Sequence, residues 1–267
     1  MKRILSLMLV IALTLCLEGC IRKPDPELEA AAKNMEAFNS ISCQMDMNLT
    51  VDREGVNTPV QMRAFTKIMR EEGLMHMHLD MNLGDKKLGS EIYRQQTGFE
   101  SMEYRGIDIG DGLEWTRESG SVFSIASLIP SSDVLKYISH VQGTEESAEI
   151  GGRNCTRYEG YIEGPNLKLL LKVVSFMGQA GKEFSQAFSD KLQALRIPVS
   201  IYLDQQELLI VRIDLDAAEL LEAAGILRDE NIRFTSAELT VEYGDFDAVS
   251  EIVIPDEALN APDQSAA

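Results

Sequence analysis

From Cys43 to Val51 the chain alternates without a break. Cys43, Met45, Met47, Leu49 and Val51 are apolar, and Gln44, Asp46, Asn48 and Thr50 between them are polar. A period of two sends alternate side chains to opposite faces of a strand, one buried and one wet. The pattern returns at Met75, Met77, Leu79, Met81 and Leu83, alternating with His76, His78, Asp80 and Asn82. A lone strand or hairpin of this kind is not stable in water, so the chain must build a sheet around these stretches. In a meander, the first and third strands run parallel and present equivalent faces. Met45, Met47, Leu49, Met75, Met77, Leu79 and Met81 are therefore expected on one concave, apolar surface. Methionine is flexible and polarizable, which suits a groove for variable apolar partners. Ordinary core packing is the competing reading of the same residues.

Turn signals extend the sheet in both directions. Glu54-Gly55, Glu71-Glu72-Gly73, Gly84-Asp85, Thr97-Gly98 and Gly110-Asp111-Gly112 separate strand-like runs as far as Trp115. Ahead of them, Leu28, Ala31, Ala32, Met35 and Phe38 recur at helical spacing within Glu27–Phe38. Val122–Leu128 and Asp133–Ser139 read as short helices. Gly151-Gly152 marks a hairpin between Val141–Ile150 and Arg153–Ile162. Two amphipathic helices are expected from Leu167 to Met177 and from Phe184 to Leu195, as a cover for the sheet or a movable lid. Strands resume at Ile197–Leu203 and Leu209–Leu215, a short helix follows over Ala217–Ala224, and Gly225 stops it. Apolar parity switches from Ile232 and Phe234 to Ala237, Leu239, Val241 and Tyr243, which predicts a bulge near Thr235-Ser236.

The first residues read as an export signal. Lys2 and Arg3 precede an apolar run, Ile4–Leu17, that is too short and wrongly flanked for a membrane span. It ends in Leu17-Glu18-Gly19-Cys20, which resembles the lipobox of bacterial lipoproteins and so implies Cys20 as the acylation site. Cys16 is the poorer candidate because bulky Leu15 precedes it. An ordinary secretory signal and an uncleaved anchor are the alternatives. The expected organisation is a lipoprotein signal peptide over residues 1–19, an acylated tether over 20–26, one domain over 27–258 and a disordered tail over 259–267. The domain then lies outside the cytoplasm, anchored to a bacterial membrane.

Losing Lys2, Arg3 and Glu18 takes the formal charge from −18 to −19. An acidic chain of this kind carries no footprint for nucleic acid and is repelled by anionic headgroups, so its acyl chains must hold it at the membrane. Two cysteines, Cys43 and Cys155, remain beyond Cys20. Export permits a disulfide between them, and two buried free thiols are the alternative. No Cys-x-x-Cys, nucleophile elbow, His-Glu-x-x-His or phosphate-cradling loop occurs, so no catalytic residue, metal or cofactor is assigned and an enzyme is not expected. His76, His78 and Asp80 share one strand face at zinc-compatible spacing. That face lies opposite the apolar one, so they are read as a solvated polar face.

Lipobox, helix, long meander, central helices and late hairpin together form an order that resembles the LolA-like superfamily. The best matching stretches are Ser42–Val51, the Gly151-Gly152 hairpin with Cys155 and Tyr158, Ile201-Tyr202-Leu203-Asp204 leading into Leu209–Leu215, and Ser250–Pro255. The superfamily includes periplasmic lipoprotein carriers, mycobacterial lipid-carrying lipoproteins and related Gram-positive lipoproteins. The resemblance implies an α+β fold: a strongly curved antiparallel sheet, an incomplete barrel, with helices packed on the concave side. It implies sequestration of a lipid, acyl chain or lipidated partner, with no site carried over residue by residue. The alternative function is an envelope sensor or interaction module that offers the same fold to another protein.

Overall fold

A computed structural model of the chain describes residues 25–83, 86–98, 100–108, 110, 112–120, 135, 138–163, 194–223 and 232–264. The expected signal peptide, Cys20, the turn at Gly84-Asp85, the helix at Val122–Leu128 and the two amphipathic helices between Leu167 and Met177 and between Phe184 and Leu192 lie outside the described residues.

Among the described residues, eleven strands form one antiparallel sheet. They are β1 (Ser40–Arg53), β2 (Val56–Met69), β3 (Leu74–Leu83), β4 (Lys86–Thr97), β5 (Glu100–Asp108), β6 (Leu113–Gly120), β7 (Ile138–Ile150), β8 (Arg153–Glu163), β9 (Arg196–Asp204), β10 (Leu209–Asp216) and β11 (Ile232–Gly244). Their order is β6-β5-β4-β3-β2-β1-β11-β10-β9-β8-β7. Two meanders thus join where β11 pairs with β1. The sheet is strongly curved and open, an incomplete barrel with β6 and β7 as its edges.

Cross-strand register fixes the faces, because directly opposed residues point the same way. One row runs Leu79, Ala64, Met45, Val241, Ile213, Ile201 and Tyr158, through β3, β2, β1, β11, β10, β9 and β8. Helix α1 (Pro26–Ala37) lies on this face and buries Leu28, Ala31, Ala32 and Met35. Its Glu27 accepts a 2.5 Å hydrogen bond from the Tyr158 hydroxyl, tying helix to β8. A second helix, α2 (Ala218–Ala223), covers the other end of the same face through Leu221, packed with Phe234 and Ala237. These two helices therefore sit on the concave side. Helix α1 starts at Pro26, inside the expected tether. Asp25 caps it by accepting from Glu27 N at 2.9 Å, proline occupies the first turn, and Glu27 and Glu29 favour the positive end of its dipole.

Several expected irregularities are present. Thr50 pairs with Ser236 but Val51 with Phe234, so Thr235 is the extra residue of a bulge. Gly151 and Gly152 both have positive φ, which closes the β7–β8 hairpin tightly. Other expectations need correction. Ile138 and Ser139, expected at the end of a helix, already belong to β7. Residues 259–264, expected as part of a disordered tail, end an ordered segment that crosses the convex face. After β11, Asp247 accepts from Asn39 N at 2.7 Å, and Lys67 donates to Ser250 Oγ at 3.1 Å. Helix α3 (Asp256–Leu259) reaches β5 and β6, and Gln264 N donates to Arg117 O at 2.9 Å. Ile252, Ala258 and Ala261 are buried by this crossing, which supplies the apolar contact that a free tail would lack.

Candidate functional site

The seven residues expected in a groove do share one face. Met45 aligns with Ala64 and Leu79, Met47 with Met62 and Met81, Leu49 with Val60, Met75 with Ile68, and Met77 with Thr66. Their accessibility divides them. Met75 is fully buried, Met47 and Met77 nearly so, and Leu79 is buried at 9% exposure, whereas Met45, Leu49 and Met81 remain half-buried. Full burial of a methionine is worth about 1.5–3 kcal/mol, so the first group has a structural role whatever else it does.

Exposure grows along a single row. Met47 on β1 is 3% exposed, Met62 and Met81 on β2 and β3 are half-buried, and Leu88 on β4 is 37% exposed. Beside Leu88, Ile107 on β5 is 46% exposed. Ile107 aligns with Ser90 and hence with Leu79, so it belongs to the concave face too. The apolar surface therefore continues beyond the core and reaches solvent at the β3–β5 margin.

At the other end of the same strands, this face carries charge. Arg94 is directly opposite Met75 and Glu103, and Arg105 is directly opposite Ile92. Glu103 Oε2 accepts from Arg94 Nη2 and Oε1 from Arg105 Nη2, both at 2.5 Å. The Arg94, Glu103 and Arg105 side chains are 7%, 12% and 34% exposed. By contrast, the ion-paired Arg63, Arg157 and Arg212 lie on the convex face, in register with Asp46, Tyr202 and Glu242. Sequence reading missed the cluster. The available signal was parity: Leu88, Ser90, Ile92 and Arg94 are spaced by two, so an arginine continues an otherwise inward-facing series.

A cavity of about 790 Å³ opens elsewhere, between the end of α1, the β7–β8 hairpin and the end of β11. Phe38, Leu209, Val211, Tyr243 and Phe246 form its apolar wall, with Glu207, Glu242 and Asp245 among the polar lining. Arg153 also lines it, held by Asp204 and Glu207 at 2.5 Å each. None of the seven groove residues is in its lining. Its carboxylates make it a poor host for an acyl chain, because an apolar ligand would strip water from them without replacing it.

On the convex face, His76 and His78 turn toward Glu91. His76 Nε2 is 2.5 Å from Glu91 Oε2, His78 Nδ1 is 2.7 Å from Oε1, and His78 Nε2 is 3.1 Å from Asp80. Burial opposes protonation of His78, but its hydrogen bonds to Glu91 and Asp80 outweigh burial and raise its pKa. Burial likewise opposes ionisation of Glu91, yet the two imidazoles hold its pKa below the usual value. The face is less wet than the sequence suggests: the His76 side chain is 21% exposed and stacks on Tyr93 at 4.3 Å. His76, Tyr93 and Tyr104 lie in one row between Lys67 and Arg117, two of the sheet residues to which the C-terminal segment is tied.

Cys43 and Cys155 are free, buried thiols. Strands β11, β10 and β9 separate β1 from β8, about 19 Å along the sheet at the usual strand spacing and far beyond disulfide reach. Burial pushes the Cys43 thiol up to about 11, leaving it protonated and unreactive at neutral pH.

No family model matches the chain. No curated protein matches it either. Among solved structures, it aligns with the lipoprotein LppX of Mycobacterium tuberculosis at 13% identity over 86% of this chain and 100% of that one, TM-score 0.48. It aligns with LprF of Mycobacterium bovis at 12% identity over 89% and 100%, TM-score 0.43. A LolA superfamily protein from Nitrosomonas europaea aligns at 6% identity over 88% and 97%, TM-score 0.24.

Proposed function

We propose that this chain is a membrane-anchored, extracytoplasmic binding protein, not an enzyme, and that its concave sheet face holds a hydrophobic ligand: a lipid, an acyl chain or a lipidated partner. The observation that carries the reading is the apolar row that does not stop where the core stops, from Met47 through Met62 and Met81 to Leu88, with Ile107 beside it. A surface that served only as core would be covered, and an exposed apolar margin continuous with soft methionines suits variable chains. Cys20 is the membrane attachment point in this reading, through the lipobox that precedes it. Replacing Cys20 with Ala should release the protein from membranes or leave the precursor unprocessed. Unchanged processing and membrane retention would count against the anchor.

The ligand test uses the mature protein, a fluorescent fatty acid and thermal melting. Met62→Asp and Met81→Asp place a carboxylate where water reaches it, so both variants should fold. Each should lose about 1–3 kcal/mol of binding, on the order of 5- to 150-fold in affinity. Met75→Asp, at a fully buried position, should unfold the domain and serves as the core control. Wild-type protein that binds no apolar probe, or margin variants that bind it unchanged, would refute the site. Native mass spectrometry of protein taken from its own membrane adds a direct readout: a retained lipid supports the proposal, and a co-purifying protein on an empty domain favours an interaction module.

A further inference from the structure

We infer that the ligand is an anionic amphiphile, a single acyl chain bearing a carboxylate or phosphate, and that Arg105 with Arg94 forms its headgroup subsite. The inference rests on the hydrophobic-ligand reading above and narrows it. The concave face is apolar in the described parts of β1 to β3 except at small polar positions such as Thr66 and at exposed Arg53, where β1 ends, and yet β4 and β5 bring two guanidiniums onto its middle. Burying such charge beside Met75 and Ile92 is costly unless it serves a partner.

Glu103 is a partner to both guanidiniums and sets the geometry. It takes one nitrogen from each arginine and so holds the two guanidiniums side by side. A guanidinium has five N–H donors, and Arg105 Nε is buried with no hydrogen-bond partner among the described residues. Nε itself is screened from solvent, but the Arg105 side chain as a whole is 34% exposed, so an incoming anion meets the exposed part of the side chain. Paired guanidiniums match the oxygens of a carboxylate or phosphate better than a point charge does. Glu118 faces the cluster from β6 opposite Glu103, but it is exposed and its repulsion is screened by water and salt.

The apolar part of such a ligand has a matching track. Ile107 is two residues beyond Arg105 on β5, and Ile92, Ser90 and Leu88 lead away from Arg94 on β4. From Arg94 to Leu88 the strand covers about 20 Å, the reach of a long acyl chain. The face thus runs from cationic to apolar to solvent-exposed apolar along one direction, which complements a headgroup followed by a tail.

The test compares laurate, dodecyl phosphate, dodecanol and dodecylammonium binding to the mature protein by displacement of a neutral fluorescent probe. Laurate or dodecyl phosphate should bind at least about tenfold more tightly than dodecanol, and dodecylammonium more weakly than dodecanol. Preference between the two anions identifies the headgroup source. Arg105→Gln should bring the anion within about twofold of dodecanol, while Arg105→Lys should keep part of the preference. Should Arg105→Gln fail to fold, the salt dependence of anion against alcohol binding in wild type and Arg105→Lys decides. Equal binding of anion and alcohol by wild type overturns the headgroup subsite but leaves the hydrophobic-ligand reading intact. Absence of binding by all four probes overturns that reading itself.

Discussion

Glu91 shares its two carboxylate oxygens between His76 and His78, and this is the residue-scale feature with the clearest consequence. His78 has a folded-state pKa above its ordinary 6.5, so its contribution to stability is full below that value and is lost as pH rises through the folded pKa. Glu91 has a folded-state pKa below its ordinary 4.5, so its contribution is present above that value and is lost as pH falls through the folded pKa. Both are fully present together between about pH 4.5 and pH 6.5. Glu91→Gln should therefore be most destabilising relative to wild type near pH 5.5, and the gap should narrow on either side. Because the His78 side chain is 43% exposed, its share is below about 1 kcal/mol. Melting temperatures of both proteins from pH 3.5 to about pH 9 check this; a constant gap would mean that Glu91 acts only through packing.

At the scale of elements, the turn between β2 and β3 sets the alignment of the methionine face. Gly73 has a φ of 62°, and a Cβ there would lie 2.4 Å from the carbonyl oxygen of Gln96 on β4. Gln96 N also donates to Gly73 O at 2.8 Å, so the turn is pinned to the neighbouring strand. Gly73→Ala must adopt a left-handed conformation and push Gln96 away. It should cost about 1–3 kcal/mol, read from urea unfolding, with the slope unchanged. The helix α1 depends on a different contact. Tyr158→Phe removes the hydroxyl that donates to Glu27, and because Glu27 can be rehydrated the loss should be about 0.5–1.5 kcal/mol. An unchanged midpoint for Tyr158→Phe would show that this hydroxyl adds nothing to the apolar face and the Asn34 and Arg70 hydrogen bonds that also hold α1.

For the whole molecule, the two meanders and the crossing C-terminal segment act together. An open sheet presents unpaired backbone at its edges, a template for association with another chain. Residues 262–264 occupy part of the β6 edge: Arg117 N donates to Pro262 O at 3.1 Å, and Gln264 N donates to Arg117 O. Deleting residues 256–267 should expose that edge, lower the melting temperature and produce concentration-dependent oligomers in size-exclusion chromatography. Ile252→Ala tests the same segment by packing alone and should cost about 2 kcal/mol or more, because the side chain is buried against the sheet. A truncated protein that stays monomeric and melts as wild type does would assign the segment no role in protecting the edge.

Alternation, turn residues and helical spacing were legible in the sequence because each depends on neighbours within a few positions. They located the β1 and β3 faces, the Gly151-Gly152 hairpin, the Thr235 bulge and α1 before any contact was known. Register added the shared face of Met45, Met47, Leu49, Met75, Met77, Leu79 and Met81, since strand parity survives any curvature of the sheet. Burial did not follow from parity. Whether Met47 is core and Leu88 is margin depends on what the rest of the chain lays over the sheet. The same holds for Cys43 and Cys155, whose separation is set by the pairing of β11 with β1. It holds for His76, whose polar face lies beneath the course of a segment more than 170 residues later in the chain. Arg94 and Arg105 come together with Glu103 only when β4 and β5 pair in register. Local sequence determined which side chains share a face, and tertiary structure decided which face is covered, because coverage is supplied by contacts between distant parts of the chain.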